Sequence, residues 1–432
     1  MPTRNFLIIF VSVVVSLICY SSAHRNRYAA LFSEAISIVE EQHLEQHPRR
    51  DLFVAAMNGM MESLDEHSMF LAGSDYKRFT EDMEQEFFGI GIQVTFDDKA
   101  QYVRVEMPIL DSPAYYAGLQ SGDLITSVDG TDTLGMKTDE VVKRMKGERG
   151  KAVDLIIRRP STQKDFAVSI VRDKIKVSSV RGDTCNADGS WSFVLEEDPR
   201  IGYLRLSQFG DHSYEEVESA LKSVNGQVDA IILDLRFNSG GLLDTAVKIC
   251  DLFIDSGTIV SLRGRDKQVK ELITASGDTL VSPDIPLVIL INEYSASASE
   301  IVAACLQDHH RAVIVGQRSY GKGTVQNVIE LEPGRSKLKL TTASYWRPSE
   351  KNIHKSSKAT DADEWGVKPD EGFEVKMDED LTLKVFQYRR VRDLKDLPGT
   401  NHQTESIEPV DDPQMRKAIE YLQQKIAGRQ AA

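Results

Sequence analysis

The sequence predicts a multidomain protein of mixed α/β and α+β class: a helical N-terminal segment, a β-rich domain, an α/β core and a helical C-terminal tail. Three observations carry that prediction. Continuous apolar runs at Ile201–Leu206, Ala230–Leu235, Leu287–Ile291 and Ala312–Val315 sit between helical patterns, as strands covered on both faces do. Short strands punctuated by glycine fill residues 86–173, and apolar positions at helical spacing fill residues 25–85. The chain has 432 residues, 41% hydrophobic and 27% charged, enough for two or three domains that each bury a core. Such a composition excludes a disordered chain, a collagen and a polytopic membrane protein. The formal net charge of −14 argues against general nucleic-acid binding, which wants a basic face.

Phe6 to Tyr20 is an uncharged apolar run preceded by Arg4. As a helix it reaches about 22 Å, short of a hydrocarbon core of about 30 Å. Ser21-Ser22-Ala23 follows with the small residues a signal peptidase requires. Residues 1–23 are read as an export signal ending near Ala23, which places the bulk of the chain in the periplasm or cell envelope. An uncleaved membrane anchor over residues 6–20 would export the chain equally.

The helical segment, residues 24–85, repeats apolar positions such as Leu31, Ala35, Ile38 and Val39, then Leu52, Phe53, Ala56, Met57, Met60 and Met61. That stripe reads as packing rather than a cofactor site. Beyond the leader stand Cys185, Cys250 and Cys305, an odd count at irregular spacing that makes neither a disulfide framework nor a zinc site. Cys250 and Cys305 read as small buried hydrophobes, with a single bridge between them as the alternative. No motif calls for a metal or an organic cofactor.

From residue 86 the texture changes. Gly89-Ile90-Gly91-Ile92-Gln93-Val94 reads as a glycine-bearing loop feeding a strand. Val103–Val105, Ser112-Pro113-Ala114, Gly122-Asp123-Leu124-Ile125 and the turn Val128-Asp129-Gly130 follow, then a helix from Thr138 to Met145 with Thr138 as its cap. A strand returns at Val153–Arg158. In this order residues 86–173 resemble a PDZ domain of the circularly permuted kind found in bacterial proteases. Such a groove takes an extended C-terminal peptide as an added strand and holds its carboxylate on backbone amides. Phe88, Gly89, Ile90 and Gly91 would supply those donors, and Ile90, Ile92 and Val141 the apolar pocket.

Residues 174–376 hold three candidate constellations. Asn292 to Glu300 follows the strand Leu287–Ile291 with a turn of small residues, Ser295-Ala296-Ser297-Ala298-Ser299, that opens an apolar helix. Such a turn presents a hydroxyl with helix-start amides behind it, as a developing oxyanion needs. Gly321-Lys322-Gly323 pins a lysine between glycines, four residues before Gln326. It is not a phosphate loop, because glycine occupies 323 where Ser or Thr is required. Phe237-Asn238-Ser239-Gly240-Gly241 imitates a chymotrypsin-like nucleophile motif, but only His212 lies between it and the PDZ-like segment, so its glycines read as donors of main-chain N–H. A triad of Ser297 with Asp308 and His309 or His310 fails on distance, since residues eleven apart on a helix stand about 16 Å apart.

The order of these motifs, with Gly202-Tyr203, Phe209 and Leu235-Arg236 between them, resembles the carboxyl-terminal processing, or tail-specific, serine proteases. The resemblance runs from about Leu64-Asp65-Glu66-His67-Ser68 to Pro369-Asp370. It implies Ser297 as nucleophile, Lys322 as general base, Gln326 as the group orienting the lysine, and the amides of Gly241 and Ala298 as oxyanion donors. It also implies protein or peptide substrates recognised by their C-terminal tails and cleaved through an acyl-enzyme. Lys322 is expected in a mostly apolar pocket with no paired carboxylate. A non-catalytic scaffold of the same layout would have no need of Ser297, Lys322 and Gln326 together. Ser239 and Glu66 depart from the family pattern away from the catalytic positions, and Ser349–Glu364 is unusually long and charged. Residues 377–432 read as a polar extension with a helix from Gln414 to Ala427. The helical ends at 25–85 and 414–427 are candidate surfaces for a homo-oligomer, or ordinary core packing.

Overall fold

A computed structural model describes residues 6, 9–16, 27–109, 111–186, 190–394 and 409–430. Of the expected leader, residues 9–16 are helical, and the expected cleavage point at Ala23 lies outside the described residues. Among the described residues no helix is long and apolar enough to cross a membrane. The chain divides into two compact units, residues 1–76 with 326–341, and residues 77–325 with 342–432.

In the first unit, helices Arg27–Gln42 and Arg49–Glu62 occupy the segment read as helical. The strand Met69–Ala72 was not expected there. It forms because Met69 to Ala72 pair antiparallel with Lys339 to Ser336, and non-local pairing overrides the helical neighbourhood. Asp65 fixes the turn before it, accepting the amides of His67 and Ser68 at 2.8 Å each. Helix Arg27–Gln42 buries none of its residues, leaving Leu31, Phe32, Ile38 and Val39 exposed.

In the second unit, the strands Ile92–Asp97, Tyr102–Pro108, Leu124–Val128, Ala152–Arg159 and Lys164–Val171 lie side by side in that order, with Thr131–Asp132 paired to the third. Glu86–Gly89 pairs antiparallel with Asp173–Lys176, so the segment is tied off where the chain enters and leaves it. Val103, Val105, Ile125, Val141, Val153, Leu155 and Ile157 form its core. Ile92–Asp97 is left as an edge strand. The helix is Thr138–Met145 as expected, but its N-cap is Lys137, with no side-chain cap bond. Asp139 and Glu140 in the first turn offset the helix dipole instead.

A five-stranded sheet orders Val180–Arg181, Ile201–Leu206, Ala230–Asp234, Leu287–Ile291 and Val313–Gly316, the last four parallel. Side chains alternate faces along each strand. Leu204, Leu233, Ile289 and Ile314 meet the helices Ser213–Val224, Leu243–Asp251 and Ala298–Asp308, while Tyr203, Ile232, Leu290 and Val315 meet the helix Pro413–Gln430. That double cover is why these strands read as nearly unbroken apolar runs.

The last helix is therefore core: Met415, Ala418, Ile419, Leu422 and Ile426 are sealed against the sheet, the ordinary packing the sequence allowed for this segment. A second helix, Glu379–Leu394, lies in the tail that read as merely polar. Arginine–carboxylate pairs dock it together with Val385 and Phe386, too few apolar positions to announce a period. Its Arg389 and Arg392 reach Asp183, and Arg181 and Arg205 reach its Asp393. Cys185, Cys250 and Cys305 are buried and form no disulfide among the described residues, and burial beside Cys305 pushes the Cys250 thiol well up.

Candidate active site

Two adjacent parallel strands deliver the site. Asp234 stands opposite Leu290, so the turn after Ala230–Asp234 and the turn after Leu287–Ile291 leave the sheet together, at the carboxyl edge where open α/β sheets place ligands. Main-chain and side-chain bonds stitch the two turns. The amide of Ala296 and the hydroxyl of Ser299 donate to the Asn238 carbonyl at 3.0 and 2.9 Å, and the Ser295 hydroxyl donates to the Leu235 carbonyl at 2.9 Å. Asn292 Oδ1 accepts the amides of Phe237 and Tyr294 at 3.0 and 3.2 Å.

Ser297, the expected nucleophile, is the N-cap of helix Ala298–Asp308 and is 6% exposed. Its φ of 55° is left-handed, a conformation that costs an L-residue about 1–2 kcal/mol and must be held by its surroundings. Gly240 allows the close approach. A Cβ there would stand 2.7 Å from both the Ala296 carbonyl oxygen and Ser297 Cβ. Gly240 donates its own amide to Asn238 Oδ1, whereas the amides of Gly241 and Ala298 find no acceptor among the described residues. The Ala298 amide also opens a helix, where the dipole favours negative charge.

The group that organises this site is Glu300, fully buried one turn into the helix. Its Oε2 accepts the amides of Ser297 and Lys322 at 2.8 Å each, and its Oε1 accepts the Gly321 amide and the Ser319 hydroxyl at 2.6 Å each. Two nitrogens bonded to one oxygen at that length stand no more than about 5.6 Å apart. One carboxylate thus brings the backbone of the serine turn to the backbone of the lysine loop. Burial pushes the Glu300 carboxyl up to about 7, against the pull of its four hydrogen bonds.

Lys322 is half-buried in a loop held on both sides. The Gly321 carbonyl accepts the Lys355 amide, and the Gly323 carbonyl the Tyr345 amide, each at 2.8 Å. Tyr345 is buried with its hydroxyl bonded to the Ser297 side chain, and burial raises that phenol to about 12. The long charged stretch 349–364 folds over this loop around Trp365. Arg318 and Lys355 stack on the Trp365 ring at 3.4 and 4.1 Å, and Arg318 donates to the carbonyls of Asp361, Asp363 and Trp365. Gln326 belongs to the first unit, where its Nε2 donates to Thr341 Oγ1 at 3.3 Å and that hydroxyl donates to Asp65 Oδ1 at 3.1 Å.

The triad candidates Asp308 and His309 are engaged elsewhere, and the glycine-turn serine is not enclosed in a site. Asp308 pairs with Arg347 at 2.5 Å, the His309 ring bonds the Thr258 carbonyl at 2.7 Å, and Ser239 is exposed.

These geometries meet their counterpart in sequence comparisons. The family model for peptidase family S41 matches residues 200–372, and that for the PDZ domain matches residues 104–159. A carboxy-terminal-processing protease of Bartonella bacilliformis is 37% identical over 349 residues, covering 79% of this chain and 76% of that protein. The chain belongs to peptidase family S41, the carboxy-terminal-processing proteases. The carboxyl-terminal-processing protease of Synechocystis is 33% identical over 363 residues, covering 83% of this chain and 80% of that protein. The solved photosystem II D1 C-terminal processing protease is 28% identical, with a TM-score of 0.45 over 80% of this chain and 92% of that one.

In this S41 protease the PDZ domain leaves its edge strand Ile92–Asp97 open to an added strand. The amides of Ile90 and Gly91 have no acceptor among the described residues. Phe88 is exposed and Ile92 half-buried, but Ile90 and Val141, expected to line the pocket, are sealed in the domain core. Their β-branched bulk holds the sheet to the helix, so Phe88 and Ile92 carry the accessible apolar surface here. Sequence reasoning missed Glu300, Asn292 and Tyr345. Only Glu300 had a local signal, the Ser-x-x-Glu spacing of a capping box from Ser297.

Proposed function

We propose that this S41 protease cuts protein substrates through a Ser297–Lys322 dyad after its PDZ domain has taken the substrate's C-terminal tail. Ser297 Oγ attacks the scissile carbonyl carbon as the neutral Lys322 amine accepts the Oγ proton. The amides of Gly241 and Ala298 receive the oxyanion. The C–N bond then breaks, the leaving amine takes the proton from Lys322, and an acyl-enzyme remains on Ser297. Water, activated by the same amine, releases it.

A free lysine of pKa about 10.4 is almost wholly charged near neutrality, so a competent base needs its pKa lowered by about 3 units, or about 4 kcal/mol. Desolvation disfavours the ammonium form and so acts in that direction. The observation that carries the reading is the Glu300 carboxylate, which accepts the amides of Ser297 and Lys322 on one oxygen. Cleavage of a C-terminally tagged protein by the purified full chain tests it. Ser297→Ala and Lys322→Ala should each lower the rate by more than about 10³-fold while thermal melting is retained. An active Lys322→Ala enzyme refutes the dyad. Amidating the substrate's C-terminus should raise KM more than it lowers kcat, and equal cleavage of both forms refutes tail selection.

The leader, residues 1–23, directs export in this reading. Sequencing the N-terminus of the exported protein separates cleavage after Ala23 from retention of residues 6–20 as an anchor, and finding the protein in the cytoplasm overturns both.

A further inference from the structure

Three aromatic rings meet in a chain of pairwise contacts on the turns that carry Ser297 and Gly241. Tyr294, three residues before Ser297, stacks on Phe237 with centroids 5.6 Å apart and planes 17° from parallel. Phe237 in turn meets Phe386 of helix Glu379–Leu394 at 4.8 Å and 51°. Each ring comes from a different element: the serine turn, the glycine turn and the tail helix.

Core packing does not account for them. Tyr294 is 45% and Phe386 41% exposed. Phe237 holds a φ of 62°, a left-handed conformation that bulky residues seldom adopt and that Asn or Gly would take more easily. The main chain there accepts strain and aims a ring where a small residue would serve the turn. Asn292 Oδ1 fixes two of the rings at once through the amides of Phe237 and Tyr294.

Phe237 and Phe386 also form the apolar end of a cavity of ≈ 340 Å³. Its other wall is basic, but those charges are already answered: Arg181 and Arg205 by Asp393, and Arg390 by Glu106. The aromatic end is the part left for a ligand.

We propose that Tyr294, Phe237 and Phe386 form a subsite for one large apolar or aromatic side chain of the substrate, within a residue or two of the scissile bond. The inference rests on Ser297 being the nucleophile. The occupant is the substrate, because the floor of the subsite is the same pair of turns that carries Ser297 and Gly241. Exposed ring faces gain by covering apolar surface and by ring stacking, and they gain nothing from a small polar side chain.

Two tagged peptides that differ only in Phe or Ser beside the mapped cut provide the test. The wild-type enzyme should favour the Phe peptide in kcat/KM. Tyr294→Ala and Phe386→Ala should each shrink that preference about tenfold, while Phe386→Leu, which keeps apolar bulk, should keep most of it. Leu383→Ala removes an exposed apolar residue of the same helix outside the ring contacts and should leave the preference unchanged. A preference unmoved by both alanine variants, with Ser297-dependent cleavage intact, overturns the subsite. Absence of Ser297-dependent cleavage in the wild-type enzyme strikes the dyad instead, so the two failures are distinguishable.

Discussion

The paired turns that carry Ser297 and Gly241 and the segment Phe88–Gly91 are backbone devices of the second unit, yet they dispose of their polar groups in opposite ways. Around Ser297, nearly every donor is consumed internally. Asn238, Asn292 and Glu300 take up amides and hydroxyls from two turns and a loop, leaving the amides of Gly241 and Ala298 over. The Phe88–Gly91 segment leaves two consecutive amides and a whole strand edge open. The contrast follows from what each must do. A reacting hydroxyl must be held within a fraction of an ångström, so its surroundings are over-determined. A tail-binding edge must accept many sequences, so it offers main chain and little else.

The sharpest way to break that comparison is to disturb the over-determined side. Gly240→Ala would drive a Cβ to 2.7 Å from Ser297 Cβ, and activity should fall by more than about 10²-fold, measured as kcat on a tagged substrate. Glu300→Ala strips the acceptor from four buried donors and should cost about 3 kcal/mol or more in urea unfolding, with a comparable loss of kcat.

The pH dependence of stability sharpens the point. Burial raises the folded Glu300 pKa from 4.5 to about 7, so the folded state holds this proton more tightly than the unfolded chain. The stability so contributed is complete below about pH 4.5 and is lost as pH rises through about 7. It amounts to about 3 kcal/mol at most. Urea midpoints of the wild type relative to Glu300→Gln should fall between pH 5 and pH 8, and a constant difference would contradict it.

The open side should respond in KM. At Gly91 the φ is 79° and a Cβ would stand 2.3 Å from Ser112 Cβ. Gly91→Ala should raise the KM of tagged substrate about tenfold and spare kcat, because it reshapes the loop and not the serine turn. The smallest effect belongs to Ser239→Ala, exposed in the glycine turn, which should leave both constants within about twofold.

Much of this was legible in the chain. Apolar runs interrupted only at Arg205 and Asp234 located all four parallel strands to within a residue or two, because strands covered on both faces are apolar at nearly every position. The motifs Ser295–Glu300 and Gly321–Gly323 are local in sequence and local in structure. Less visible was anything whose reason lay far along the chain. Met69–Ala72 became a strand through its partners at residues 336–339, and helix Glu379–Leu394 docked through arginine–carboxylate pairs with no period to reveal them. Ile90 and Val141 passed for groove residues because a sequence does not say which side of an apolar residue faces the core.

Residue type and spacing alone determined the chemistry on offer: a hydroxyl at a helix start, an amine between glycines, and small residues where backbone must expose amides. Only the tertiary structure decided what those groups are joined to. A buried carboxylate can gather amides from residues 297, 321 and 322, and a phenol from residue 345 can meet the serine, only after parallel strands have aligned their ends. Hydrogen bonds act over about 3 Å, and no spacing along a chain encodes a distance that short between segments so far apart.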